Sequence, residues 1–184
     1  MNNTKLSKGF TLVEVVVTLA VVAILSAIMI PLISNNIKSA RVTKAGADAK
    51  SIMDAIVKFR YDLAKWPVYN NSGVYHNLLY GEGIRNSSWE SINPKLSLHF
   101  SLVEMPTVYN QGPSRDGTPA WNGPYIAKVK QDSWGNAYLV NSQYFNSNNS
   151  RVWVMSAGED KTISTPFNGL TDPPTGDDIY QYLK

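Results

Sequence analysis

The sequence predicts an α+β protein: a long N-terminal α-helix, half transmembrane and half amphipathic, packed against a small C-terminal antiparallel β-sheet with long loops. Three observations carry this. Residues 15–33 hold no formally charged side chain, and Ile52, Ile56, Phe59 and Leu63 recur at spacings of four, three and four. Beyond residue 120, short β-prone runs alternate with Gly, Asn and Ser, the pattern of a meander.

The charge-free run is 19 residues long, which at about 1.5 Å per residue makes roughly 28 Å of helix, close to a hydrocarbon core of about 30 Å. A secretory signal peptide needs a shorter apolar region and a small-residue cleavage site. Here Ser34-Asn35-Asn36-Ile37-Lys38 follows instead, so the run is kept. Glu14 stands at its start, and a carboxylate beside a membrane-spanning segment is costly unless it has a partner and a function. Lys5 and Lys8 precede the run, and Lys38, Arg41 and Lys44 follow it, so the charge count leaves orientation open. The Asn-, Ser-, Gly- and aromatic-rich residues 60–184 read as a folded polar domain outside the cytoplasm. The absence of cysteine removes disulfides, thiolate metal sites and cysteine catalysis.

After residue 36 the helix continues. Lys50, Asp54 and Lys58 lie four apart on the face away from the apolar stripe. Pro67 ends the pattern near Trp66, giving one helix from Phe10 to about Ala64. In residues 68–119, Leu96, Leu98, Phe100 and Leu102 alternate with polar residues as a half-buried strand would, although residues 91–104 also read as a short helix. His76 and His99 have no metal-ligand spacing and read as packing or surface residues. Residues 125–129, 137–140 and 152–155 are the strands of the expected meander, and residues 141–150 form a loop by composition. Gly135-Asn136 suits a tight turn, with Trp134 and Tyr138 as core aromatics.

With a basic segment before it, Gly9-Phe10-Thr11-Leu12-Val13-Glu14 resembles the processing motif of the type IV pilin superfamily, which includes pilins and the pseudopilins of type II secretion. The resemblance implies cleavage between Gly9 and Phe10 by a prepilin peptidase and methylation of the new Phe10 amine. It divides the chain into a leader, residues 1–9; a transmembrane and assembly helix, 10–33; its amphipathic half, 34–66; and a head, 67–184. The head comprises a variable region 68–119, a β-meander 121–155 and an acidic C-terminal loop 156–184. Glu14 would pair with the Phe10 amine of a neighbouring subunit, a cation whose ordinary pKa is near about 8. Two groups that are each costly in lipid then offset one another and set the register between helices. Pro31 matches a proline common late in this segment, where it loosens the helix.

Three further motifs resemble the major pseudopilin of type II secretion: Trp121-Asn122-Gly123-Pro124-Tyr125, Asp132-Ser133-Trp134-Gly135-Asn136-Ala137-Tyr138 and Met155-Ser156-Ala157-Gly158-Glu159-Asp160. Tyr61, Asp62, Trp66 and Pro67 are similar to that family's helix exit. The acidic loop, with Asp160, Asp172, Asp177 and Asp178, has no EF-hand pattern. The resemblance implies a structural calcium ion there, held by Asp160, the Ala157 carbonyl and Asp177 or Asp178. Calcium takes about six to eight oxygen ligands. Lys161 stands where the family has glycine, and residues 162–176 are longer and less glycine-rich than its loop.

Two functions of different class follow. The first is a structural subunit of a type IV pilus-like filament, either a type II secretion major pseudopilin or a type IV major pilin. It would be a single-pass precursor in the bacterial inner membrane, then part of a periplasmic pseudopilus or extracellular pilus. Its partners would be further copies of itself in a helical homo-oligomer, a prepilin peptidase and an inner-membrane assembly platform. The second is a membrane-anchored extracytoplasmic ligand-binding or adhesion module, a minor pilin, whose head uses Trp89, Trp121 or Tyr109. An enzyme is not expected: no Ser-His-Asp set has a recognisable context and no Gly-rich loop follows a strand. A net charge of +3 with dispersed Lys and Arg carries no specific nucleic-acid signature.

Overall fold

The computed structural model describes residues 9–85, 88–105, 107, 119–170 and 173–183. The chain divides into two units, Met1–Ala40 and Arg41–Lys184. Helix α1, Leu12–Leu63, begins in the first and ends in the second. In the first unit its apolar side chains, from Leu12 through Ile33, are exposed.

In the second unit α1 buries Ala45, Ala49, Ile52, Ala55, Ile56, Phe59 and Leu63. The larger residues are the predicted stripe. The alanines extend it by recurring at the same helical period, and their small side chains let other segments approach the helix closely. The helix stops at Ala64, whose φ of 52° lies in the left-handed region. Arg60 donates its guanidinium to the Ala64 carbonyl, satisfying one of the carbonyls that a helix end leaves open.

Five short strands follow: β1, Leu78–Tyr80; β2, Lys95–Ser97; β3, Leu139–Val140; β4, Trp153–Ser156; β5, Ile179–Tyr182. They form one sheet in the order β2-β1-β3-β4-β5. β1 pairs with β2 in parallel, and every other pairing is antiparallel, so the sheet is mixed. The meander expected between residues 121 and 155 is realised by β3 and β4, and β5, in the stretch expected to be a loop, continues it at the edge. Residues 125–129 are no strand. Their backbone bonds go to two separate places, Tyr125 N–H to the Leu102 carbonyl at 2.8 Å and the Val129 carbonyl to Glu82 N–H at 3.3 Å, so no ladder forms.

Around Leu96 both sequence readings hold in part. Strand β2 gives way at once to the five-residue helix α2, Leu98–Leu102, which Ser97 caps by accepting from the His99 N–H at 3.3 Å. Leu98, Ser101 and Leu102 are buried at helical spacing, which places Ser101 on the side of Leu98, whereas a strand would turn it to the opposite face.

The sheet has apolar packing on both faces. Leu79, Val140 and Val154 belong to the cluster that includes the α1 stripe. Leu78, Leu139, Trp153 and Met155 belong to a second cluster, which Trp89, Ala157 and Ile163 complete. Successive strand residues point to opposite faces, so β3 and β4 are buried throughout. Tyr138 is in the first cluster, as expected of a core aromatic. Trp134 is only half-buried and packs into neither.

Candidate functional site

The first candidate is the start of α1. Thr11 and Glu14 form a capping box there. Thr11 donates both its backbone N–H and its hydroxyl to Glu14 Oε2, each at 2.9 Å, and its hydroxyl oxygen accepts from the Glu14 N–H at 3.3 Å. Gly9 and Phe10 lie just outside this box, and Phe10 is 87% exposed. The peptide between them is therefore at an open, non-helical chain segment. Residues 1–8 of the expected leader lie outside the described residues.

Beyond the box, α1 shows apolar side chains in every direction, and none of Leu12, Val16, Leu19, Val22, Ile24, Ile28 or Leu32 is less than half exposed. The helix is long and apolar enough to cross a membrane. Its few polar side chains turn back on their own backbone: Thr18 donates to the Val15 carbonyl at 2.9 Å and Ser26 to the Val22 carbonyl at 2.7 Å. Such groups present no unmet donor to lipid or to another apolar helix. Pro31 lies inside α1. It has no N–H, so the Ala27 carbonyl loses its usual partner and the helix is weaker at that turn.

The second candidate is the acidic loop after β4. Asp177 Oδ2 accepts from the backbone N–H groups of Glu159, at 2.9 Å, and Asp160, at 3.2 Å. Gly158 makes that approach feasible, since its φ is +67° and a Cβ there would sit 2.5 Å from the Asp177 carbonyl. The neighbouring Asp178 serves a different turn: its Oδ2 accepts from the Ser164 and Thr165 N–H groups and, at 2.6 Å, from the Thr165 hydroxyl. Burial outweighs those bonds and pushes the Asp178 carboxyl above its usual range. Asp160 Oδ1 accepts from the Thr162 N–H at 2.7 Å, and Ala157 is buried in the second apolar cluster.

Asp160, Asp177 and Asp178 each give an oxygen to backbone N–H donors, and adjacent Asp177 and Asp178 serve different segments. Among the described residues no group of three or more His, Asp or Glu side chains is placed to hold a metal ion. Asp172 lies outside the described residues.

A buried polar network, not expected from the sequence, ties this loop to the turn before β3. Asp132 accepts from the Trp134 and Asn136 N–H groups through Oδ1, and from Asn136 Nδ2 and the Ser156 hydroxyl through Oδ2. Asn136 Nδ2 also donates to the Gly158 carbonyl at 2.9 Å. The available signal was an aspartate and an asparagine four apart across a glycine turn, an arrangement suited to side-chain bonding to local backbone.

The aromatic candidates for a ligand-binding head do not form an exposed platform. Trp89 is fully buried, and its indole N–H donates to the Thr165 carbonyl at 2.8 Å. Trp121 is half-buried against Tyr125, and Tyr109 lies outside the described residues. His76 is buried with Nδ1 3.1 Å from the Val68 carbonyl, whereas His99 lies 3.4 Å from Glu104.

A lipid-ready helix with an acid at its start, followed by an α+β head, is the arrangement of a type IV pilin-like protein, and the comparisons with known proteins support that class. Residues 4–30 match the family described as the prokaryotic N-terminal methylation motif. The head carries the more particular likeness: residues 105–167 match the family described as type II secretion system protein G, so the chain resembles the major pseudopilin. It is 26% identical over 172 residues to the type II secretion system core protein G of Escherichia coli, covering 90% of each chain. With the Pseudomonas aeruginosa core protein G the identity is 28% over 131 residues, 71% of this chain and 70% of that one. A type IV major pilin, PilE1 of Neisseria gonorrhoeae, is 34% identical over 67 residues, 36% of this chain and 41% of its own. No solved structure gives a significant match.

Proposed function

We propose that this chain is the structural subunit of a type IV pilus-like filament, cut between Gly9 and Phe10 by a prepilin peptidase, methylated at Phe10 and assembled through α1. The observation that carries the reading is the apolar surface of residues 12–33, which nothing in the first unit covers. Apolar area of that extent must be removed from water. Lipid does so in a membrane-held precursor, and other copies of the same helix do so in a filament. Transfer from one to the other needs no change of fold.

Between the two machines we favour the secretion pseudopilus. The likeness to the core proteins G extends over most of the chain, whereas that to the PilE1 pilin covers about a third of it. On this reading the precursor sits in the bacterial inner membrane with its head in the periplasm, and an assembly platform in that membrane extracts it. The relatives bear the names of secretion and pilin proteins and not of enzymes, which agrees with a structural role. Calcium is no step in this proposal.

Imaging of material sheared from the cell surface separates the machines. Short or absent surface fibres under native expression, with secretion lost on deletion, is the expected result. Long surface filaments containing this chain would assign it to a pilus instead.

A further inference from the structure

In the second unit, a cavity of about 250 Å³ opens between α1 and the segment before the turn at Gly135. Lys44 and Ser51 line it from the helix, and Lys128, Lys130 and Gln131 from that segment. Lys128 is 3.1 Å from Glu82, an exposed pair of little strength. Among the described residues, Lys44 and Lys130 have no ion-pair partner. Asp48 is the one acid in the lining, so the walls carry three cations against one anion. Gln131 adds a neutral donor beside them, while the Ser51 hydroxyl donates back to the Ala47 carbonyl at 3.1 Å. A concave site lined by three lysines and an amide is suited to an oxyanion of phosphate size.

The place of these residues in the chain indicates the source of the anion. The charge-free run ends at Ile33, and Lys44 follows eleven residues later in the same helix, with Arg41 between them. Arg41 is joined to the cavity's side of the fold, its carbonyl accepting from the Ser133 hydroxyl at 3.4 Å. Basic residues a few turns beyond a membrane span are attracted by anionic lipid surfaces.

We propose that this cavity binds the phosphate of an anionic phospholipid headgroup while the subunit is held in the membrane. The inference rests on the membrane-anchored precursor of the proposed function. Binding there holds the head against the bilayer before assembly, and extraction into the filament releases the lipid.

The test uses the full chain in neutral phosphatidylcholine nanodiscs with increasing phosphatidylglycerol, following hydrogen exchange of peptides over residues 44–52 and 126–131. The expected result is protection that saturates with phosphatidylglycerol. Lys44→Gln and Lys130→Gln should each shift the midpoint to about fivefold more anionic lipid. Lys58→Gln, an equal charge change on exposed α1 surface away from the cavity, should shift it far less. An equal shift from Lys58→Gln, or no lipid-dependent protection at all, would overturn the proposal. Protection by inorganic phosphate in neutral discs would overturn the lipid as its source. Protection that depends on protein concentration and not on lipid charge would assign the cavity to contact between copies, overturning the lipid again. Exchange of residues 12–33 in the same samples reports membrane insertion, so a failed anchor is read separately from an empty cavity.

Discussion

Glu14 and Thr11 hold each other at the start of α1, with the carboxylate accepting two bonds from Thr11 and the threonine hydroxyl accepting one in return. Within a single copy the acid is therefore already hydrogen-bonded, which eases its place beside the apolar run. An amine on Phe10 of a neighbouring copy would add charge compensation that these neutral donors cannot supply.

Replacing Glu14 with Ala should accordingly leave cleavage after Gly9 intact and abolish filaments. Immunoblotting for the processed chain and microscopy for fibres give the two readouts. Thr11→Ala, which removes the cap, should weaken the first helical turn by about 1 kcal/mol, or about fivefold faster exchange at amides 12–15. Normal filaments from the Glu14 variant would remove the pairing role.

Ala64 ends α1 in a left-handed conformation that favours glycine, and its side chain is exposed. Ala64→Gly should raise stability by about 0.5–1 kcal/mol, because strain relief at φ > 0 outweighs the added freedom of the unfolded chain. Urea unfolding of the full chain in detergent measures this, and a loss of stability would mean the backbone there is not strained.

Asp178 gives a pH dependence. Burial raises its folded-state pKa above the unfolded value, so its contribution is fully present below the ordinary carboxylate range and lost as pH rises through the raised value. Compared with Asp178→Asn, the wild-type chain should be relatively more stable near about pH 3.5 than at neutral pH. Asp178→Ala, which strands the Ser164 and Thr165 donors, should cost about 2 kcal/mol or more. A stability difference between wild type and Asp178→Asn that does not change with pH would contradict the shift.

The loop after β4 is pinned by its own backbone donors to Asp177 and Asp178, and among the described residues no three carboxylates are grouped to hold a metal ion. Chelation of divalent ions should then leave the thermal unfolding curve of the full chain unchanged. A lower melting temperature in chelator, restored by calcium, would reinstate the ion.

Where residue type alone determines the outcome, the sequence is readable. The run of residues 15–33 and the stripe of Ile52, Ile56, Phe59 and Leu63 give the helix, and the structure places both as expected. Sites that depend on long-range pairing were less legible. Strand β5 sits in a stretch rich in Gly, Pro and Asp, and Ile179–Tyr182 becomes a strand because β4 offers it an edge. Residues 125–129 look equally β-prone and find no such edge. The Asp132 network was hidden for a similar reason: Ser156 and Gly158 are more than twenty residues from their partners, and only folding brings them together.

On the proposed function the mature chain begins at Phe10 and is built into a fibre through that end. Intact-mass and N-terminal peptide analysis of purified fibres tests it most directly. Such fibres should contain a chain starting at N-methylated Phe10, with residues 1–9 absent. Fibres containing a chain that keeps Met1, or a chain cut after Ile33 and free of the apolar helix, would contradict it.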